Sequence, residues 1–139
     1  MLYVLQRNNP KIIFSDETAL FLNGLMEREY SDIHVCVPQG HNGSRMRERG
    51  IIVHQEKTGI YGLGAYEIET NYGNKVKTYN CERCICDLIK NRNAYEVQTF
   101  QTAIKNYMKR NNKDLSLMLT YADQLKVKDE VMKYVEVLV

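Results

Sequence analysis

One segment near the middle of the chain, residues 80–93, carries the strongest helix signal in the sequence and divides it into two unlike halves. Asn80 is a favourable N-cap residue, and Glu82 places a carboxylate in the first turn, where the helix dipole favours negative charge. Arg83 and Asp87 are spaced one turn apart and can pair. The apolar residues recur at helical spacing and form one stripe: Cys81, Cys84, Ile85, Leu88 and Ile89. A helix is therefore predicted here.

The two halves on either side of this helix have different patterns. Before it, residues 33–37 alternate in polarity up to Pro38, and residues 66–79 predict a hairpin with its turn at 71–74. After it, apolar spacing predicts three more helices, within 97–108, 115–125 and 131–138. We expect an α+β fold in a single domain of residues 1–139. A small mixed or antiparallel sheet with short helices forms the N-terminal half, and four helices form the C-terminal half.

Composition excludes several classes of protein. Hydrophobic residues make up 44% and charged residues 26% of the chain, which is ordinary for a globular domain. A net charge of +2 is too small to indicate nucleic-acid binding by itself. No apolar run approaches membrane-spanning length, and the N-terminus lacks a signal-peptide pattern. Four cysteines, three of them crowded at 81, 84 and 86, suit a reducing compartment, so a cytoplasmic protein is expected.

The sequence contains no recognisable catalytic or metal-binding motif. The three histidines, His34, His41 and His54, are isolated from one another, and His41 in its glycine-rich loop is interpreted as solvated. On a helix Cys81 and Cys84 share a face while Cys86 points away, which favours small apolar packing over metal coordination. We therefore predict a protein that is not an enzyme, with no catalytic residue, no cofactor and no metal.

Two basic clusters are the candidate contacts for a partner. Arg45, Arg47 and Arg49 alternate with other residues, so they would share one face if that segment were extended. The second cluster lies at the end of a predicted helix and in the following turn, and consists of Lys105, Lys109, Arg110 and Lys113. Either cluster could meet phosphates or an acidic protein surface. Both could equally be solvated surface, and lysines near a helix C-terminus also complement its dipole.

Four stretches of the sequence, in order and at approximate spacing, resemble the AbiEi family of bacterial antitoxins. One stretch, residues 82–89, reads Glu-Arg-Cys-Ile-Cys-Asp-Leu-Ile, where the family usually has Thr at the position of Cys84. Another, residues 14–25, reads Phe-Ser-Asp-Glu-Thr-Ala-Leu-Phe-Leu-Asn-Gly-Leu. Residues 35–42 (Val-Cys-Val-Pro-Gln-Gly-His-Asn) and 134–138 (Tyr-Val-Glu-Val-Leu) complete the set. Together they span almost the whole chain.

This resemblance implies a function that the residues alone do not. AbiEi proteins are partners of AbiEii-type nucleotidyltransferase toxins, in type IV toxin–antitoxin systems that limit phage spread by abortive infection. A typical member has an N-terminal winged helix-turn-helix that binds its own promoter, followed by an antitoxin domain. The present chain resembles the second domain only, so we expect an antitoxin domain that counters a cognate toxin directly or indirectly. The alternative is a transcriptional-regulator fragment that assists promoter binding by a winged helix-turn-helix.

Overall fold

A computed structural model describes residues 2–27 and 31–138. The N-terminal half contains α1 (Leu2–Asn8), β1 (Ile13–Phe14), α2 (Asp16–Leu22), β2 (His34–Pro38), α3 (Ser44–Glu48), β3 (Ile52–Glu56), α4 (Thr58–Tyr61), β4 (Ala65–Glu69) and β5 (Lys75–Tyr79). The second half contains α5 (Cys81–Lys90), a 3₁₀ turn (Arg92–Ala94), α6 (Val97–Met108), α7 (Leu115–Gln124) and α8 (Lys128–Leu138). The α+β expectation is confirmed, with the sheet in the N-terminal half and helices after it.

The five strands form one mixed sheet in the order β3-β2-β1-β5-β4. The β4–β5 hairpin is antiparallel, as the sequence predicts, and β1 pairs antiparallel with β2 but parallel with β5. β2 and β3 are parallel, with Cys36 in register with His54. A parallel pair needs a crossover connection, and here that connection includes α3.

Each face of the sheet packs against a different set of helices. On one face Val35 and Val37 join α1 and α3 in a small cluster that contains Leu5 and Met46. On the other face Cys36 belongs to a larger cluster with residues of α2, α5, α6, α7 and α8. The alternation of β2 residues between these clusters is the period-2 pattern of a strand that is covered on both sides.

Helix α5 lies at the centre of the larger cluster. All of residues 82–89 are buried, and the helix contacts α2, α6, α7 and α8. The predicted cap is present, since the Asn80 side chain accepts a hydrogen bond of 2.9 Å from the Arg83 amide. Asp114 caps α7 in the same way by accepting from the Leu117 amide at 2.9 Å.

Three details go beyond what the sequence pattern gives. Residues Ser44–Glu48 form the helix α3, so the alternating arginines of this segment are not extended on one face. Val97, the first apolar residue of the pattern that predicts α6, is 72% exposed because it lies in the first turn of that helix. In α8, Val131 is fully buried but Val135 is only half-buried, and the Leu138 side chain lies outside what the structure describes.

Within the described residues, none of the helices combines the length and apolar character needed to cross a bilayer.

Lys126 lies just after the end of α7, in a left-handed conformation that a glycine would adopt at lower cost. Its φ is +62°, and the Val127 amide bonds the Ala122 carbonyl at 2.9 Å, as in a Schellman motif. We expect Lys126→Gly to raise the free energy of unfolding by about 0.5–1 kcal/mol, because it relieves the Cβ clash. Urea denaturation measures this change. Lys133→Gly, inside α8, should instead be destabilising; a loss of stability in both variants would contradict the prediction.

Candidate functional site

A cluster of two histidines and an aspartate lies on the sheet face that α2 and α5 cover. The parallel register of β2 and β3 puts His34 and His54 on the same face, on neighbouring strands. Asp16 starts α2 immediately after β1, and the Ser15 amide bonds the His34 carbonyl at 3.1 Å. Three elements that are distant in sequence therefore bring these side chains together.

The polar atoms of the cluster are in direct contact. His34 Nδ1 and His54 Nε2 are 3.1 Å apart, and His54 Nε2 lies 3.2 Å from Asp16 Oδ2. The two imidazole rings are nearly parallel, at 10°, with centroids 5.4 Å apart. Because the facing nitrogens are so much closer than the centroids, the rings meet edge to edge rather than face to face. Without a bound ion, the Nε2–H group of His54 can be shared between His34 Nδ1 and Asp16 Oδ2, and this hydrogen bonding would hold the three side chains together.

Asp16 is held in an unusual conformation by the surrounding structure. Its φ is +50°, in the left-handed region that non-glycine residues seldom adopt. The Tyr95 hydroxyl donates a hydrogen bond of 2.8 Å to Asp16 Oδ1, which leaves Oδ2 facing the histidines. Burial and the Asp16 carboxylate raise the pKa of Tyr95, so its hydroxyl remains a donor at neutral pH. Backbone strain of this kind concentrates at functional sites.

The cluster opens into an acidic cleft of about 390 Å³, which Glu17 and Asp32 also line. Burial lowers the pKa of His34, and the nearby Asp16 carboxylate opposes this change. His34 is therefore neutral at neutral pH and can offer a ring-nitrogen lone pair. His54 is the more accessible of the two histidines, with 44% of its side chain exposed. A cleft with this charge favours cations over phosphate groups.

A small cavity of about 50 Å³ adjoins the cleft and reaches the middle of α5. Arg83 Nε contacts both oxygens of Asp87, at 3.1 and 3.0 Å, in a buried ion pair. Burial raises the pKa of the Asp87 carboxyl to about 6, and Arg83 opposes part of that rise. Ser15 Oγ also lines the cavity, and it is buried without a hydrogen-bond partner among the described residues. Ser15 is the N-cap residue of α2, but its side chain makes no capping bond.

The cysteines contribute packing rather than reactive thiolates. None of the four is in a disulfide, and Cys84 and Cys86 are buried in the larger cluster. Burial raises the pKa of Cys36 to about 11 and that of Cys86 to about 12, and it raises the pKa of Cys84 well above its usual value. These thiols stay protonated at neutral pH and are poorly suited to metal coordination or nucleophilic attack.

The first basic cluster lies on α3 and its C-terminus. Arg45, Arg47 and Arg49 are all exposed, while Met46 between them is buried against the sheet. Helical spacing puts Arg45 and Arg49 one turn apart, and Arg47 donates to the Val53 carbonyl at 3.3 Å. Within the described part of the chain, no carboxylate pairs with any of the three.

The second basic cluster is divided between internal and exposed groups. Arg110 donates to the Cys81 sulfur at 3.1 Å and to the Asn23 carbonyl, which ties the end of α6 to α2. Lys113 donates to the Arg110 carbonyl at 3.1 Å. Lys105 and Lys109 are exposed. Half of this cluster therefore serves the fold, and the helix carrying it packs in a different core cluster from α3.

The histidine–aspartate cluster is the site that reasoning from sequence missed. His34 and His54 are twenty residues apart and belong to no motif, so only the pairing of β2 with β3 brings them together. Comparison with protein-family models finds no match to this chain, and neither does comparison with curated proteins.

Proposed function

We propose that this chain is an antitoxin domain of a type IV toxin–antitoxin system and counters an AbiEii-like nucleotidyltransferase toxin in the cytoplasm, without enzymatic activity of its own. The resemblance to AbiEi antitoxins supports this proposal. Three of its four stretches meet around the small cavity beside α5. They contribute Ser15 and Asp16, then Cys36, then Arg83 and Asp87. Three of the stretches therefore contribute residues to one region beside the central helix.

The observation that carries a direct-contact mechanism is the exposed arginine face of α3. Its guanidinium groups have no carboxylate partner among the described residues, so an acidic surface on the toxin could pair with them at little cost. The buried Met46 fixes the helix against the sheet and presents Arg45 and Arg49 side by side. Arginine is favoured at protein interfaces because its planar fork matches carboxylates.

Charge reversal on α3 tests the proposal. We expect the triple variant Arg45→Glu, Arg47→Glu, Arg49→Glu to fold normally, because exposed substitutions usually change stability by no more than about 0.5 kcal/mol each. It should lose the ability to rescue cells from the toxin, since the introduced glutamates would repel the acidic toxin surface that the arginines attract. The measurement is colony survival when each variant is co-expressed with the toxin encoded beside it. The matched control is Lys105→Glu with Lys109→Glu, which reverses two exposed charges elsewhere.

Each outcome of this experiment is decisive. Circular dichroism confirms that each variant is folded before survival is compared. Loss of rescue in the triple variant alone supports contact through α3. Full rescue by a folded triple variant would remove the arginines from the mechanism.

The alternative function is assistance to promoter binding, because exposed arginines also suit DNA phosphates. A gel-shift titration of the chain with the promoter DNA separates the two. Weak, sequence-independent binding that disappears with added salt fits the antitoxin proposal. Tight, promoter-specific binding lost in the triple arginine variant would favour the regulator.

A further inference from the structure

We propose that Asp16, His34 and His54 form a binding site for one divalent transition-metal ion, Zn²⁺ above all, with a coordination position open to the acidic cleft. This site is independent of the arginine face and of the toxin. Two imidazoles and one carboxylate are a common set of protein ligands for zinc, with water or an exchangeable ligand completing the shell.

The spacing of the donor atoms fits a single ion after a small movement. Two ligand atoms bound to one tetrahedral zinc ion are about 3.3 Å apart, given bonds of about 2.0–2.1 Å. The observed separations are 3.1 Å between the histidine nitrogens and 3.2 Å between His54 and Asp16, and all three donor atoms lie within 4.8 Å of one another. The rings now aim at each other, so each must turn toward a common point on the cleft side. The exposed half of His54 leaves room for that turn.

The groups around the cluster prepare Asp16 for this role. Tyr95 holds Oδ1 of the carboxylate and leaves Oδ2 for an ion, which is the usual arrangement around a metal-bound carboxylate. The left-handed backbone of Asp16 aims the side chain at the histidines, and a bound ion would help to offset the strain of that conformation. The Glu17 and Asp32 carboxylates on the cleft wall add negative charge that attracts a dication.

The ligand types select the class of ion. Mg²⁺ and Ca²⁺ prefer shells made of oxygen, whereas imidazole nitrogens suit zinc, cobalt, nickel and iron. Two of the three donors here are imidazoles, so a transition ion is favoured over the alkaline-earth ions. The buried, protonated cysteines are a poor competing site in the folded chain.

Calorimetric titration of the chelator-treated chain with Zn²⁺ tests the site. We expect one equivalent to bind, with no heat from Mg²⁺ under the same conditions. His34→Gln and His54→Gln should abolish binding, and Tyr95→Phe should weaken it about tenfold, because loss of a supporting hydrogen bond typically costs 10–100-fold in metal affinity. His41→Gln is the matched control, since His41 lies in the β2–β3 connection away from the cluster and should bind as the original chain does.

Cobalt substitution identifies the ligands independently. Co²⁺ bound at this site should give visible ligand-field bands without the intense near-ultraviolet band of a cobalt–thiolate bond. The exposed position of His54 makes His54→Gln the variant least disturbing to the fold, and circular dichroism checks this. Absence of stoichiometric Zn²⁺ binding, unchanged binding in folded His54→Gln, or a thiolate band would each overturn the proposal. If the chain bound no stoichiometric Zn²⁺, the cluster would be a hydrogen-bonded chain of Asp16, His54 and His34.

Discussion

Replacing Arg83 with methionine is expected to lower the free energy of unfolding by about 3–5 kcal/mol, because it strands the buried Asp87 carboxylate without a partner. A domain of this size is typically stable by about 5–15 kcal/mol, so the loss is a large fraction of the total. The effect is large because Arg83 is only 2% exposed and has no solvent to replace its contacts.

Arg83 joins three parts of the fold through one guanidinium. Besides the pair with Asp87, its Nη1 donates to the carbonyls of Ile60 and Leu63, at 2.7 and 2.8 Å. Its Cζ lies 4.1 Å from the centroid of the Tyr79 ring, which adds a cation–π contact. The methionine variant loses all of these contacts, including the donor to the Leu63 carbonyl and one of the two donors to the Ile60 carbonyl.

Urea denaturation of matched variants measures this effect. Arg83→Lys keeps the charge but loses the planar five-donor fork, so an intermediate loss is expected. Arg45→Met makes the same chemical change at an exposed position and should change stability by less than about 0.5 kcal/mol. Adding Asp87→Leu to Arg83→Met should recover part of the loss, because the stranded charge is gone. A change below about 1 kcal/mol in Arg83→Met would contradict a central role for the pair.

Local signals in the sequence were sufficient for much of the fold. Asn80 and Asp114 are caps whose side chains bond the amide three residues on, so they mark the starts of α5 and α7 without any distant information. The hairpin likewise follows from alternation on either side of a polar turn. The sequence also predicts the pairing of Arg83 with Asp87 from their spacing, although not that the pair is buried.

The candidate site depends on contacts that local patterns do not encode. His34 and His54 meet only because β2 and β3 pair in parallel, and strand pairing across a crossover has no signal in residue spacing. Tyr95 reaches Asp16 across 79 positions of the chain. The arrangement of the arginines of residues 45–49 also depended on a conformation that the sequence left open, because alternation gives a shared face only in an extended segment and this one is helical. Arg110 is similar, since its inward bonds to Asn23 and Cys81 depend on how the segment after α6 lies against the end of α2 and the start of α5.

Deleting residues 128–139, which removes α8, is expected to prevent stable folding. Val131 is fully buried in the larger core cluster, and burying one valine side chain contributes about 1.5–3 kcal/mol. The deletion also removes Tyr134, which packs edge-on against Phe100 at 5.5 Å and accepts a hydrogen bond from Arg92 at 3.2 Å. Since α8 contacts both α5 and α7, its loss would expose the central helix to water.

Two smaller changes separate the core contribution of α8 from its exposed end. Truncation after Val135 removes residues 136–139, of which Glu136 and Val137 are exposed, and should leave the melting temperature nearly unchanged. Val131→Ala should give an intermediate loss of about 1–3 kcal/mol, since it leaves a cavity in a packed cluster. Thermal denaturation followed by circular dichroism ranks the three proteins. If residues 1–127 melted like the full chain, the packing of α8 would add nothing to the stability of the domain. The groove of about 830 Å³ between α6 and α8 would then indicate that α8 can separate from α6 without unfolding the domain.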